Sequence, residues 1–178
     1  MNQKSTQRRQ FLRMLGVGGI AGAAGCLGDG GSGGAGTEAV WQGTTLEDAT
    51  TGEPFRIDEF EVPTLVHTFA TYCATCARQQ DEFVTLWDRS DNLEIVELSV
   101  DPNDTAEDLA THAERAGLKW RVSVANETVL SSLIEEFGQE VSVSALSPVI
   151  IRCPDGDTNA ASKISSPDML EQAIEETC

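Results

Sequence analysis

From residue 39 onward, the chain's apolar positions fall into two rhythms, and together they predict an ordered series of strands and helices. Apolar runs of four to eight residues bounded by turn formers predict buried strands over residues 63–69, 93–100 and 148–152. Between them, apolar residues recur at helical spacing. Residues 73–89 form one such stretch, with Phe83, Leu86 and Trp87 on the inner face. Asp104 or Thr105 caps a second helix running through Ala116, and Gly117 closes it. Asn126 caps a third through Phe137, with Gly138 as its stop. Ser166-Pro167-Asp168 opens a last one, with proline at the first helical position. Residues 121–124 read as a short strand, Pro154-Asp-Gly-Asp157 as a hairpin turn and 160–164 as its return strand. Two short β pieces flank the turn-rich centre at 49–54. This order predicts an α/β fold: a mixed sheet flanked by helices, with an N-terminal β-hairpin extension.

The first 38 residues follow neither rhythm. Arg8-Arg9-Gln10-Phe11-Leu12-Arg13 resembles the twin-arginine export motif, and a Gly/Ala-rich apolar run follows from Leu15 to Leu27. That run is shorter than the roughly 20 residues that span a bilayer. Ala23-Ala24-Gly25-Cys26 resembles a lipobox, although Ala23 stands where that motif usually has Leu. Residues 1–25 are therefore expected to be a signal peptide. Cleavage before Cys26 would leave a lipid-modified cysteine on a Gly-rich tether over 26–38, a flexible coil that buries nothing. The folded domain is expected at 39–178, on the extracytoplasmic face of the membrane.

Charge refines this picture. The whole chain carries a formal net charge of −17, with 12 basic and 29 acidic residues. Removing residues 1–25 takes away Lys4, Arg8, Arg9 and Arg13 and no acid, leaving 8 basic residues against 29 acidic ones. Acid spread evenly over patterned helices reads as a solvated, halophile-like surface that repels nucleic acid. About 140 residues suffice for one core, and a monomer is expected.

The chemistry lies where the first buried strand meets its helix. Cys73 and Cys76 in Thr68-Phe-Ala-Thr-Tyr-Cys-Ala-Thr-Cys76 fall at the helix start. Unpaired backbone N–H groups and the positive end of the helix dipole stabilise a thiolate there. A second thiol three residues on can close a small disulfide ring, which is the machinery of dithiol–disulfide exchange. Half a zinc site and inert thiols are the other readings of a C-x-x-C pair. Structural zinc needs about four ligands in paired sets, and the remaining cysteines are isolated, with His67 and His112 the only histidines. No metal or other cofactor is expected. His112 reads as solvent-facing.

The element order, the Phe69–Cys76 segment and Leu146-Ser-Pro148 together resemble the thioredoxin fold. More narrowly, they resemble the TlpA/ResA-like group of exported, membrane-tethered thiol–disulfide oxidoreductases. The resemblance covers roughly residues 46–177, and the hairpin around Thr51-Gly-Glu-Pro-Phe-Arg56 is similar to that group's N-terminal extension. Tyr72 departs from the usual Trp before the first cysteine, and Ala74-Thr75 lacks the proline of many redoxins, so the redox potential does not carry over. Asp101-Pro-Asn-Asp-Thr-Ala-Glu-Asp-Leu109 with Trp120-Arg121 resembles the SCO group of thioredoxin-fold proteins, linked to copper delivery.

The resemblance implies catalytic roles for Cys73 as attacking thiolate, Cys76 as resolving thiol, and Pro148 as a cis proline facing the dithiol. An ordinary trans proline opening a strand is the alternative for Pro148. His67, six residues before Cys73, holds the place of the buried acid that takes the resolving thiol's proton; a histidine satisfied within its strand is the plainer alternative. Tyr72 and Ser147 are expected to shape the client-binding rim. The partners implied are a client protein with reactive cysteines, such as apocytochrome c or a copper-site thiol pair, and an upstream dithiol donor. The main alternative function is an SCO-like copper-binding chaperone for respiratory oxidase assembly. That group uses C-x-x-x-C with a later histidine, whereas here the spacing is C-x-x-C and residues 138–178 hold no histidine. A peroxiredoxin-type peroxidase would need a threonine where Ala70 stands.

Two cysteines remain in the domain. In the expected fold the strand from Pro148 runs away from the active-site pole, and the last helix runs the same way. Roughly 11 helical residues at about 1.5 Å each match a five-residue strand. Cys178 should therefore finish near Cys153. A structural disulfide between them and two free thiols at a frayed terminus are the alternatives.

Overall fold

The computed structural model describes residues 39–178. The expected signal peptide, Cys26 and the whole tether lie outside the described residues. The elements are α1 (Val40–Gly43), β1 (Leu46–Glu47), β2 (Pro54–Phe55), β3 (Thr64–Phe69), α2 (Ala74–Trp87), β4 (Glu94–Ser99), α3 (Ala106–Ala116), β5 (Arg121–Val124), α4 (Glu127–Phe137), β6 (Val149–Arg152), β7 (Thr158–Ala161) and α5 (Pro167–Thr177). Two 3-10 turns, Ile57–Glu59 and Gln139–Ser142, join them.

A five-stranded sheet in the order β5-β4-β3-β6-β7 forms the middle layer, and β1 pairs with β2 in a separate hairpin. Strand β3 is central, parallel to β4 and antiparallel to β6, and all six of its residues are buried. Alternation along β3 sends side chains to two faces. Leu65 packs with Ile95, Ile151, Phe83, Leu86 and Leu170, under α2 and α5. Val66 packs with Val96, Ile150, Trp41, Val129 and Leu133, under α1 and α4. Full burial of each such side chain contributes about 1.5–3 kcal/mol.

The helices begin and end on local chemistry. Cys73 caps α2, Thr105 and Asp108 form a reciprocal capping box on α3, and Asn126 and Ser166 cap α4 and α5. Gly117 closes α3 at φ 67°, a left-handed conformation that costs glycine little.

Three sequence expectations need correction. The return strand spans Thr158–Ala161 rather than residues 160–164. The tight turn, with Cys153 N–H donating to the Asp157 carbonyl, sets the register Arg152↔Thr158. By Ser165 the chain has left the sheet to bond Gln79. The Ser147–Pro148 bond is trans; among the described residues the cis peptide is Lys163–Ile164. His112 points inward, 7% exposed, because it shares the helix face of Leu109 and Ala113 and meets the Phe69 ring at a tilt. The short helix α1 had no sequence signal of its own. It is fixed from a distance, by Trp41 Nε1 donating to Glu136 and by the Trp41 ring meeting Phe137 edge-on.

Cys153 and Cys178 are joined in a disulfide that ties the end of β6 to the end of α5. The bridge closes a loop with a sequence separation of 25. Loop-closure entropy predicts a contribution of about 3 kcal/mol. The Cys153→Ser, Cys178→Ser double variant is expected to lose about that much in urea unfolding, and a loss below about 0.5 kcal/mol would show that α5 docks without the staple.

Candidate active site

Strand β3 ends at Phe69, and the chain turns through Ala70-Thr71-Tyr72 to reach α2. The turn is held from the side. Asp104 accepts from the Thr71 backbone N–H at 3.2 Å and from its hydroxyl at 2.8 Å, and also takes the Ser99 hydroxyl at 2.6 Å. Cys73 N–H donates back to the Ala70 carbonyl, which places Cys73 at the N-cap of α2. Its sulfur accepts from the Cys76 backbone N–H at 3.1 Å. Cys73 and Cys76 are disulfide-bonded. Cys73 is half-buried, whereas Cys76 is 1% exposed. Tyr72 stands beside them, 76% exposed, next to Asp101, whose carboxylate raises the phenol's pKa.

The inner sulfur has polar company of its own. Cys76 Sγ lies 3.3 Å from the Ser144 carbonyl oxygen and 3.2 Å from Lys163 Nζ. The Lys163 ammonium also donates to that same carbonyl at 2.6 Å. Burial lowers the Lys163 pKa to about 8, against an opposing pull from Glu97. The segment carrying Lys163 is clamped to α2: Gln79 Nε2 donates to the Ser165 carbonyl, and Ser165 N–H donates to Gln79 Oε1 at 2.8 Å.

Beneath the disulfide lies a buried polar cluster built around Glu97. His67 and Glu97 are direct register partners on β3 and β4. Glu97 Oε1 is 2.7 Å from His67 Nδ1, while Oε2 accepts from Gln80 Nε2 at 2.9 Å and Trp120 Nε1 at 3.2 Å. The amide oxygen of Gln80 takes His112 Nε2 at 3.1 Å, extending the chain to α3. Burial holds both imidazoles below their usual pKa, the more so as the outer ring nitrogens, His67 Nε2 and His112 Nδ1, have no hydrogen-bond partner. A bare lone pair there costs less than a buried N–H with nowhere to donate. His67 is therefore neutral, with its proton on Nδ1 facing the carboxylate.

The structure thus brings Cys73, Cys76 and Tyr72 together at the helix start. His67 sits one layer below, bonded to Glu97 rather than to sulfur. Ser147 is buried with its hydroxyl against that of Thr68, and so belongs to the interior rather than to a rim. From the segment before β6, it is the Ser144 carbonyl that meets Cys76. Sequence reasoning missed Ser144, Lys163 and Glu97. Two signals were available: Lys163 is one of two lysines after residue 25, and Glu97 sits mid-strand in an apolar run. Among the described residues, no group of three or more His, Cys, Asp or Glu side chains is placed to hold a metal ion.

No protein-family model matches the chain, and no curated protein shows significant sequence similarity to it. Solved structures do resemble it. A thioredoxin-family thiol:disulfide interchange protein from Chlorobium tepidum superposes with a TM-score of 0.63 at 13% identity, covering 75% of this chain and 92% of that one. A secreted Mycobacterium tuberculosis disulfide oxidoreductase homologous to E. coli DsbE gives 0.58 at 11% identity, covering 76% and 96%. BsSco, a member of the Sco family of cytochrome c oxidase assembly proteins, gives 0.57 at 17%, covering 74% and 89%. At these identities the shared property is the fold, which is thioredoxin-like.

Proposed function

We propose that the protein is a membrane-tethered, extracytoplasmic thiol–disulfide oxidoreductase that exchanges its Cys73–Cys76 pair with cysteines of client proteins. The observation that carries this reading is the placement of the pair. Cys73 is half-buried at the N-cap of α2, and Cys76 is buried one turn further in. An incoming thiolate can reach only the outer sulfur, so Cys73 forms the mixed disulfide and Cys76 resolves it. Structural neighbours that carry thiol–disulfide exchange support the reading. The Arg8-Arg9 motif, Cys26 and the Gly-rich tether support export and anchoring. An upstream dithiol donor would return the pair to its reduced form.

The deciding experiment is to trap the intermediate. A Cys76→Ser variant lacks the resolving sulfur and is expected to accumulate a covalent adduct with its client through Cys73. The adduct should be visible on a non-reducing gel and released by dithiothreitol. Absence of any Cys73-linked adduct in the native host would reject the reading.

The two thiols should also differ in reactivity. In the reduced protein, Cys73 is expected to alkylate at least about tenfold faster than Cys76 at pH 7, because helix N–H groups stabilise its thiolate and solvent reaches it. Iodoacetamide labelling followed by peptide mapping checks this, and equal rates would reverse the assignment of attacker and resolver.

A second reading, copper delivery, draws on the likeness to BsSco and on the Asp101–Leu109 segment. Cu(I) titration of the reduced chain, with and without Cys73, separates the two readings, because exchange chemistry requires no retained metal.

A further inference from the structure

We propose that Lys163 is a catalytic residue of the exchange reaction: its ammonium holds the Cys76 thiolate, and its amine carries the Cys76 proton. The inference rests on the oxidoreductase reading and supplies the step which that reading leaves without an agent, the activation of a sulfur that water does not reach.

The geometry makes the case. Both cysteines sit at one helix start, but the helix serves only the outer one, since the Cys76 backbone N–H is spent on Cys73 Sγ. Cys76 is 1% exposed, so a thiolate formed there needs a protein partner. His67 makes no hydrogen bond to it: Nδ1 faces Glu97, and Nε2 is bare. Lys163 Nζ is 3.2 Å from the sulfur and is held there by two other contacts, the Ser144 carbonyl and the Gln79–Ser165 clamp. The charged and titratable groups acting on Nζ are Cys76 from α2, Glu97 from β4 and His67 from β3. Of these, Glu97 is the anion that keeps a cation favourable there. A Lys163 pKa near 8 makes the group a carrier that both takes and returns a proton close to neutrality.

In the reducing direction, the Cys73 thiolate attacks one sulfur of a client disulfide, and the client's other sulfur leaves as a thiolate. Neutral Lys163 then takes the Cys76 proton. The Cys76 thiolate attacks Cys73 Sγ, the Cys73–client S–S bond breaks, and the second client sulfur departs with its electron pair and is protonated. Two electrons pass from the dithiol to the client disulfide, leaving Cys73–Cys76 oxidised. In the opposite direction, a donor thiolate attacks Cys73, and Cys76 leaves as a thiolate onto the Lys163 ammonium. That pairing makes Cys76 the better leaving group and directs attack to the outer sulfur.

The test reads Cys76 directly. In the full chain, reduced and labelled at cysteine Cβ with carbon-13, the Cys76 resonance is followed against pH in the wild type, in Lys163→Met and in Lys163→Arg. Met is expected to raise the Cys76 titration by about one pH unit or more, a tenfold loss of thiolate at a given pH, and Arg is expected to restore it because the charge returns. Insulin disulfide reduction at pH 7 should slow about tenfold in Lys163→Met. An unmoved titration in the Met variant, a shift that Arg does not reverse, or an unchanged insulin rate overturns the proposal. A wild-type protein that reduces no protein disulfide at all defeats the oxidoreductase reading instead, and the Cys76 titration still judges Lys163.

Discussion

Replacing Cys73 by Ala is expected to abolish disulfide exchange, with a loss on the order of a thousandfold or more in insulin reduction and no mixed disulfide at all. The reason lies in the asymmetry of the pair. Only Cys73 combines exposure with the N-cap position, where the Cys76 backbone N–H points at its sulfur. Cys76→Ala should lose steady-state turnover to a similar extent yet still form adducts, because the first attack needs the outer thiolate alone. Mass spectrometry of each variant after incubation with an excess of a small disulfide such as oxidised glutathione checks the contrast. A Cys73→Ala variant that still exchanged would move the chemistry to another sulfur.

The second large effect is expected in the buried cluster. Glu97→Ala leaves the His67 Nδ1–H, the Gln80 amide and the Trp120 N–H without an acceptor in a region closed to water. Removing one member of such a set costs about 3–5 kcal/mol, far more than the set contributes over an apolar replacement. Urea unfolding should show this loss, and a change below about 1 kcal/mol would mean that the donors find other partners.

The same cluster makes stability depend on pH. His67 and His112 are both held below the usual imidazole pKa, chiefly by burial. The unfolded chain therefore binds protons that the folded one refuses. Stability is complete above an unfolded-state pKa of about 6.5 and falls as pH drops below it, by at most about 1.4 kcal/mol per pH unit for each histidine. Unfolding curves between pH 5 and 8 should show that slope, and a His67→Phe variant should flatten part of it. A stability that rose on acidification would mean that His67 is charged in the folded state.

Much of this architecture was legible because it is written in short-range chemistry. A cap and its first turn are four residues apart, so Thr105, Asn126, Ser166-Pro167 and Gly117 announced their helices. The C-x-x-C at a strand–helix junction announced the site. What escaped depends on pairs far apart in the chain. Lys163 meets Cys76 across 87 positions, and Trp41 meets Glu136 across 95. The inward side of His112 is hidden in the sequence because its helix face is apolar in Leu109 and Ala113 but polar in His112 itself. Its hydrogen to Gln80 makes that burial affordable, and Gln80 lies on another helix. The cis geometry at Pro148 is an implication of the resemblance alone, and the bond there is trans.

The Cys153–Cys178 bridge also changes what a protease can achieve. The turn at Pro154–Asp157 is one of the exposed stretches of the domain, with Pro154, Asp155 and Asp157 open to solvent. A cut there falls inside the loop that the bridge closes, so β7 and α5 remain attached through sulfur. Nicked protein should therefore run at full size on a gel until a reductant is added, and then separate into two pieces.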